Sequence, residues 1–129
     1  MRKINNVISI STSIDGNFFK YWFEFLRPFH HLTNREIDVL AAFVKKRHEL
    51  SKVISDSSVL DKAIFSADVR KEIVRDCGIT SAYLQIIISK FKKKSIIKDG
   101  KLNPRYIPRI NEEDDGCQLL LVFDFNGKT

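Results

Sequence analysis

The sequence predicts a single domain of the α+β class, mainly α, and three observations predict it. Apolar residues recur at three- and four-residue spacing through 34–48, 67–76 and 81–91, the period of a helix with one buried side. Two other runs, 7–14 and 117–125, alternate instead, which is the period of a strand. Asp99-Gly100, a favoured two-residue hairpin turn, separates two short runs that follow the last helix. A chain of 129 residues has room for one core that needs no staples.

The domain 1–129 divides into three parts. In 1–31, residues 7–14 place Ile8, Ile10 and Ile14 on one side and Ser9, Ser11 and Ser13 on the other, a half-buried strand that Asp15-Gly16 ends. Residues 17–27 hold six of the chain's 14 aromatics. They predict a helix with Phe18, Trp22, Phe25 and Phe29 along one side, ended by Pro28. One small domain can hardly bury so many rings, so this helix divides between core and a partner surface.

In the part 32–110, Thr33-Asn34-Arg35-Glu36 is a capping box, with Leu32 and Ile37 in the staple positions around it. Ile37, Leu40, Ala41 and Val44 make the apolar stripe of a helix over 34–48, and Lys45, Lys46 and Arg47 close its last turn. The serine-rich stretch 51–58 reads as a loop, and 58–65 as a short helix. Ser66 caps a helix over 67–76 whose inner side holds Ile73 and Cys77.

Gly78 stands where a turn needs positive φ, Ile79 is its buried residue, and Thr80 or Ser81 caps the next helix. Leu84, Ile87, Ile88 and Phe91 face inward from that helix. Val74 departs from the small residue usual at the helix crossing. Residues 95–98 and 101–103 then read as two strands joined by Asp99-Gly100. Helix, turn, helix, strand, tight turn and strand, in that order, make a winged helix-turn-helix.

The run RKEIVRDCGITSAYLQIIISKFKKKSIIKDGKLNPRYI resembles winged-helix domains of plasmid replication initiators of the RepL type and related phage winged-helix proteins. The matching positions are Arg70, Glu72, Ile73, Gly78, Ile79, Thr80, Ile88, Lys92, Lys93, Ile96, Ile97, Asn103, Pro104, Arg105 and Tyr106. Phe91 stands where a leucine is usual. The resemblance covers roughly a third of the chain and implies the fold and DNA binding. Separately, LTNREIDVL at 32–40 looks like the opening helix of LuxR-type trihelical domains, in which the next helix follows sooner.

Charge points the same way. Residues 81–110 carry eight cations against Asp99, a net +7 that leaves the rest of the chain at −1 out of the overall +6. A basic segment on a near-neutral body is the footprint of a polyanion binder, or else a solvated lysine-rich face. The expected DNA-binding residues are Thr80, Ser81, Ala82, Tyr83, Gln85, Ser89, Lys90, Lys93, Lys94, Lys98, Lys101 and Arg105. Gln85 suits an adenine edge, the serines a base or phosphate, and the lysines around the wing turn suit phosphates. Ile86 falls between this face and the core stripe, to touch a thymine methyl or to pack. The face is thin in arginine, which does not favour strong guanine readout.

In 111–129, residues 112–115 form an acidic loop, read as a solvated turn or as a mimic of nucleic acid or clamp on basic partners. The strand 117–125 has Leu119, Leu121, Phe123 and Phe125 on one face and Leu120 and Val122 on the other. It would pair with 103–110 or with the N-terminal strand, and at an edge it would invite a partner chain.

No catalytic constellation is visible: no nucleophile elbow, no phosphate-cradling glycine loop, no paired acid and base. Cys77 and Cys117 lack CxxC spacing, and His30, His31 and His48 lack zinc spacing, so no metal and no cofactor are expected. Reduced thiols, the polar residues 1–6 and the lack of a long apolar run lead to the expectation of a soluble cytoplasmic protein without signal peptide or membrane contact. Two readings follow. One is a non-enzymatic duplex DNA binder, a transcriptional regulator or replication initiator of phage or plasmid type. The other puts the same fold to use as a protein adaptor or structural subunit, for example in a phage particle. It would join a homo-oligomer or another protein through Phe18, Trp22 and strand 117–125.

Overall fold

A computed structural model of the chain describes residues 7–14, 16–110, 113 and 116–125. Among them the order is α1 (Phe18–Phe25), α2 (Arg27–His30), α3 (Asn34–Ser51), α4 (Ser57–Ala63), α5 (Ala67–Cys77), α6 (Ser81–Lys93), β1 (Ile97–Lys98), β2 (Lys101–Leu102) and a 3-10 turn at Pro104–Tyr106. The fold is mainly helical, with one small antiparallel sheet among the described residues.

α3 is the central element, touching α1, α4, α5 and α6. Its start is fixed locally. The Glu36 backbone N–H donates to the Thr33 hydroxyl at 3.3 Å, and the Thr33 N–H donates to the Glu36 carboxylate at 2.9 Å. Both staple residues, Leu32 and Ile37, are buried. The four expected stripe residues are buried, and Val39 and Phe43 join them because neighbours cover a wider arc of this helix. α3 runs on to Ser51, so Lys46 and Arg47 lie before its last turn. There they bond Glu72 at 2.7 Å and Asp61 at 3.4 Å.

α1 lacks a side-chain cap and is held by packing on α3. Its buried residues are Phe19 and Phe23, whereas Phe25 and Phe29 are largely exposed and Phe18 and Trp22 pack at half-burial against the core. The expected stripe is therefore displaced by one residue. Rings on every side of this helix leave contact with α3, not periodicity, to choose the inner face. Pro28 does not simply stop the helix. The chain bends at Leu26, and Pro28 stands in the first turn of α2, where its missing N–H costs nothing. The α2 turn carries His30 inward. The Leu32 N–H donates to Nδ1 at 3.0 Å, so Nε2 bears the proton and donates to the Phe23 carbonyl at 2.7 Å. Arg27 braces the same corner, reaching Glu24, the Leu32 carbonyl and Asn34.

The later helices start on side-chain caps: Asp56 for α4, Ser66 for α5 and Thr80 for α6. Residues 51–58 are thus shorter as a loop than expected, with α4 beginning at Ser57. At the end of α5, Gly78 has φ 64°. The Ile79 N–H reaches the Val74 carbonyl and the Gly78 N–H the Arg75 carbonyl, the two bonds of a Schellman turn. Arg35 of α3 closes the same end by donating to the Cys77 carbonyl at 3.0 Å.

The two strands expected at the ends of the chain are absent. Residues 7–14 and 116–125 form no ladder, and Val7, Ile8, Leu120, Phe123 and Phe125 are exposed. A strand needs a neighbour for its backbone groups. Here helices already cover the core, and β1 and β2 are only two residues each. The expected pairing of 117–125 with 103–110 reduces to a weak contact, Cys117 Sγ to the Arg109 carbonyl at 3.9 Å. Of the acidic loop, Glu112, Asp114 and Asp115 lie outside the described residues, as does Asp15.

Candidate nucleic-acid interface

α6 packs inward through Leu84, Ile87, Ile88 and Phe91, all buried. At about 100° per residue, Ala82, Ile86, Ser89 and Lys93 then lie on the opposite side, with Gln85 and Lys90 at its borders. All six are exposed, as are Ser81 and Tyr83. The helix thus presents a face of small and polar side chains around one isoleucine, and Lys92 and Lys93 stand at its C-terminal end. Ile86, expected at the margin of the core, is 53% exposed.

The Thr80 hydroxyl is engaged as the cap, accepting from the Tyr83 N–H at 3.0 Å. Its role is to set where the helix begins, which aims Ser81 and Gln85 outward. At the other end Ser95 takes φ 60° and the Ile96 N–H bonds the Phe91 carbonyl at 2.9 Å, turning the chain into β1. Ile96, Ile97 and Leu102 are buried and anchor the ribbon to the core. Ile97 pairs with Leu102 and Lys98 with Lys101. Asp99 and Gly100 both take positive φ, 56° and 75°, the geometry of a type I′ turn. Lys98 and Lys101 are therefore neighbours on the exposed side of the ribbon tip. Beyond it the Asn103 side chain caps the 3-10 turn, accepting from the Arg105 N–H at 3.1 Å, and Arg105 is exposed.

Two of the expected site residues lean elsewhere. Lys90 Nζ lies 3.6 Å from the buried Glu36 carboxylate, and Lys94 Nζ donates to the His30 carbonyl at 3.4 Å. Burial pushes the Glu36 carboxyl up. The Thr33 N–H and hydroxyl and the charges of Lys90 and Lys94 outweigh it, so Glu36 stays below the usual carboxylate range. Lys90 and Lys94 thus tie α6 to the start of α3 and to the α2 corner. Lys92, Lys93, Lys98, Lys101 and Arg105 have no carboxylate partner among the described residues. Lys92 and Lys93 stand at the end of α6, Lys98 and Lys101 on the ribbon tip and Arg105 in the 3-10 turn beyond it, and sequence reasoning left Lys92 out of the expected set.

Elsewhere the surface is less suggestive. A hollow of about 570 Å³ between α1, α3 and α5 is lined by Lys20, Asp38, Lys46, Asp76 and Cys77. Its charges are largely satisfied by each other or by neighbours, with Lys20 on Asp38 at 3.1 Å and Lys46 on Glu72. Burial pushes the Cys77 thiol up, and Asp38 and Asp76 push it further, so it is a poor nucleophile. No group of three metal-ligating side chains occurs among the described residues, and no helix there is long and apolar enough to cross a membrane. Comparison of the chain with family models, curated proteins and solved structures finds no match to any of them.

Proposed function

We propose that this chain is a non-enzymatic, winged-helix, duplex DNA-binding protein. α6 enters the major groove and the β1–β2 turn lies against the phosphate backbone. The observation that carries the reading is the exposed face of α6 with Lys92 and Lys93 at its C-terminal end, followed by Lys98 and Lys101 on the ribbon tip and Arg105 just beyond, five cations without a carboxylate partner among the described residues. A polyanion would find them solvated and uncommitted, and it would release its counterions on contact. The exposed polar residues along one edge of the face, Ser81, Gln85 and Ser89, suit base edges. The resemblance of 70–107 to RepL-type initiators supports the winged-helix fold and DNA binding, and it does not single out replication over transcription control.

The test is a salt titration of binding to random duplex DNA. With four to six phosphates contacted, the log–log slope is expected at about −4 to −5. Lys98→Ala with Lys101→Ala should flatten it by up to about 2. Absence of binding at about 50 mM salt overturns the reading.

One observation favours a second reading, protein contact. Phe25, Phe29, Leu120, Phe123 and Phe125 offer exposed apolar surface remote in sequence from α6. Residues 117–125 could add as a strand to a partner. Sedimentation would detect an assembly, and loss of that assembly in Leu120→Asp would support it.

A further inference from the structure

We infer that the α6 face selects A·T-rich duplex, with Ile86 seating thymine methyl groups and Gln85 bonding adenine edges. This rests on the DNA-binding reading above and names the class of site it would take. The first ground is position. Ile86 stands among Ala82, Ser89 and Lys93 on the side of α6 opposite the buried residues, and it is 53% exposed. A branched apolar side chain there has no described neighbour to cover it, in the part of the helix that would lie deepest in a groove. Ala82, one turn before it, adds no bulk that would hold the helix away.

The second ground is what the face lacks. Ser81–Lys93 contains no arginine, the side chain that most often reads guanine. Lys93 stands at the C-terminal end of the helix, and Lys90, at the border of the face, is drawn to the Glu36 carboxylate of α3. Its charge is therefore shared with the body rather than aimed at a guanine. Two side chains with base-reading chemistry remain in the middle turns. A glutamine amide can donate to and accept from the adenine major-groove edge together. An aliphatic branch matches the C5 methyl of thymine, the one apolar group that edge presents. Gln85 and Ile86 are adjacent in sequence, so they would meet neighbouring bases.

Thymine and uracil differ by that methyl alone, which makes the proposal separable from general DNA binding. The full chain would be titrated by fluorescence anisotropy against three duplexes of about 20 base pairs. One is alternating A·T, the second has deoxyuridine at every thymidine, and the third is G·C. The expected result is A·T binding about three- to fivefold tighter than the uracil duplex, and tighter still than G·C. Ile86→Ala, an exposed change whose fold is checked by circular dichroism, should bind the thymine and uracil duplexes equally. Gln85→Ala should narrow the gap between A·T and G·C and keep the thymine–uracil gap. Equal wild-type affinity for thymine and uracil duplexes overturns this inference and leaves the DNA-binding reading standing. A thymine–uracil gap that survives in Ile86→Ala also overturns it. No binding to any of the three overturns the DNA-binding reading, and this inference with it.

Discussion

From Thr33 to Asn103 the chain closes its own backbone at each bend, while residues 7–14 and 116–125 form no helix and no ladder. α3, α4, α5 and α6 each begin on a side-chain oxygen that accepts from the first turn, and the 3-10 turn begins on Asn103. α5 is followed by Gly78 and α6, past Lys94, by Ser95, both of positive φ. The two end segments carry apolar residues as rich as those of the middle, yet Val7, Ile8, Phe123 and Phe125 stay largely in solvent. A helix satisfies its hydrogen bonds within itself, so a cap and one apolar stripe are sufficient instruction. A strand depends on another segment, and no sequence period names that segment.

The largest effect should come from setting two phenylalanines against each other. Phe23 is fully buried under the α2 corner, and Phe125 is 99% exposed. Phe23→Ala should cost about 3–5 kcal/mol through lost burial and the cavity left behind. Phe125→Ala should fall within about 0.5 kcal/mol of zero. Urea melts of both variants check this. A large loss from Phe125→Ala would show that 116–125 is docked in solution and would dissolve the contrast.

Gly78→Val should follow, at about 1–3 kcal/mol. A Cβ at this position meets nothing within 4 Å, so the cost is that of holding a β-branched residue at φ 64° and not that of a clash. An unchanged melting temperature would mean that the turn between α5 and α6 is relaxed in another way.

Thr33→Ala should cost about 1 kcal/mol. Combined with Glu36→Ala it should cost less than the two single changes together, because each side chain completes the other's bond. Strict additivity in that cycle would mean that the reciprocal bonds do not hold the start of α3.

Much of this middle region was legible because its instructions are local. Thr33, Ser66, Gly78 and Thr80 act within a few residues of where they stand, and Asp99-Gly100 sets its own turn. What was not legible depends on distant partners. The inner face of α1 is Phe19 and Phe23 rather than Phe18 and Trp22 because α3 lies on that side. Lys90 and Lys94 looked equivalent to Lys93 until Glu36 and His30 came beside them. Ile86, expected between the polar face and the core stripe, lies instead on the far side, where the helical period itself carries it once Leu84, Ile87, Ile88 and Phe91 face inward, and it is 53% exposed. The exposed face and the ribbon lysines followed from helix period and turn chemistry alone. Whether that surface takes DNA is a question of chemistry that periodicity does not address.

The smallest effect concerns His30, the histidine of the α2 corner, and it would sharpen the contrast by showing how the capped region is joined to the uncapped one. Its Nδ1 accepts the Leu32 N–H, one residue before the Thr33 cap, and its Nε2–H holds the end of α1. A proton on Nδ1 would set two donors against each other. Burial lowers the His30 pKa below the ordinary 6.5. The Phe23 carbonyl bond opposes that shift, and the charges of Arg27, Lys94 and His31 reinforce it. The unfolded chain therefore takes up this proton at a higher pH than the folded one. His30's contribution is whole above about pH 6.5 and is lost as the pH falls through that value toward the lower folded-state pKa. Melting temperatures between about pH 7.5 and 5.5 should decline for the wild type. The decline should be shallower in His30→Gln, which starts from a lower plateau but has no proton to gain at that site. Parallel curves for the two proteins would mean that another group carries the acid sensitivity. His30 would then join α1 to the start of α3 without sensing pH.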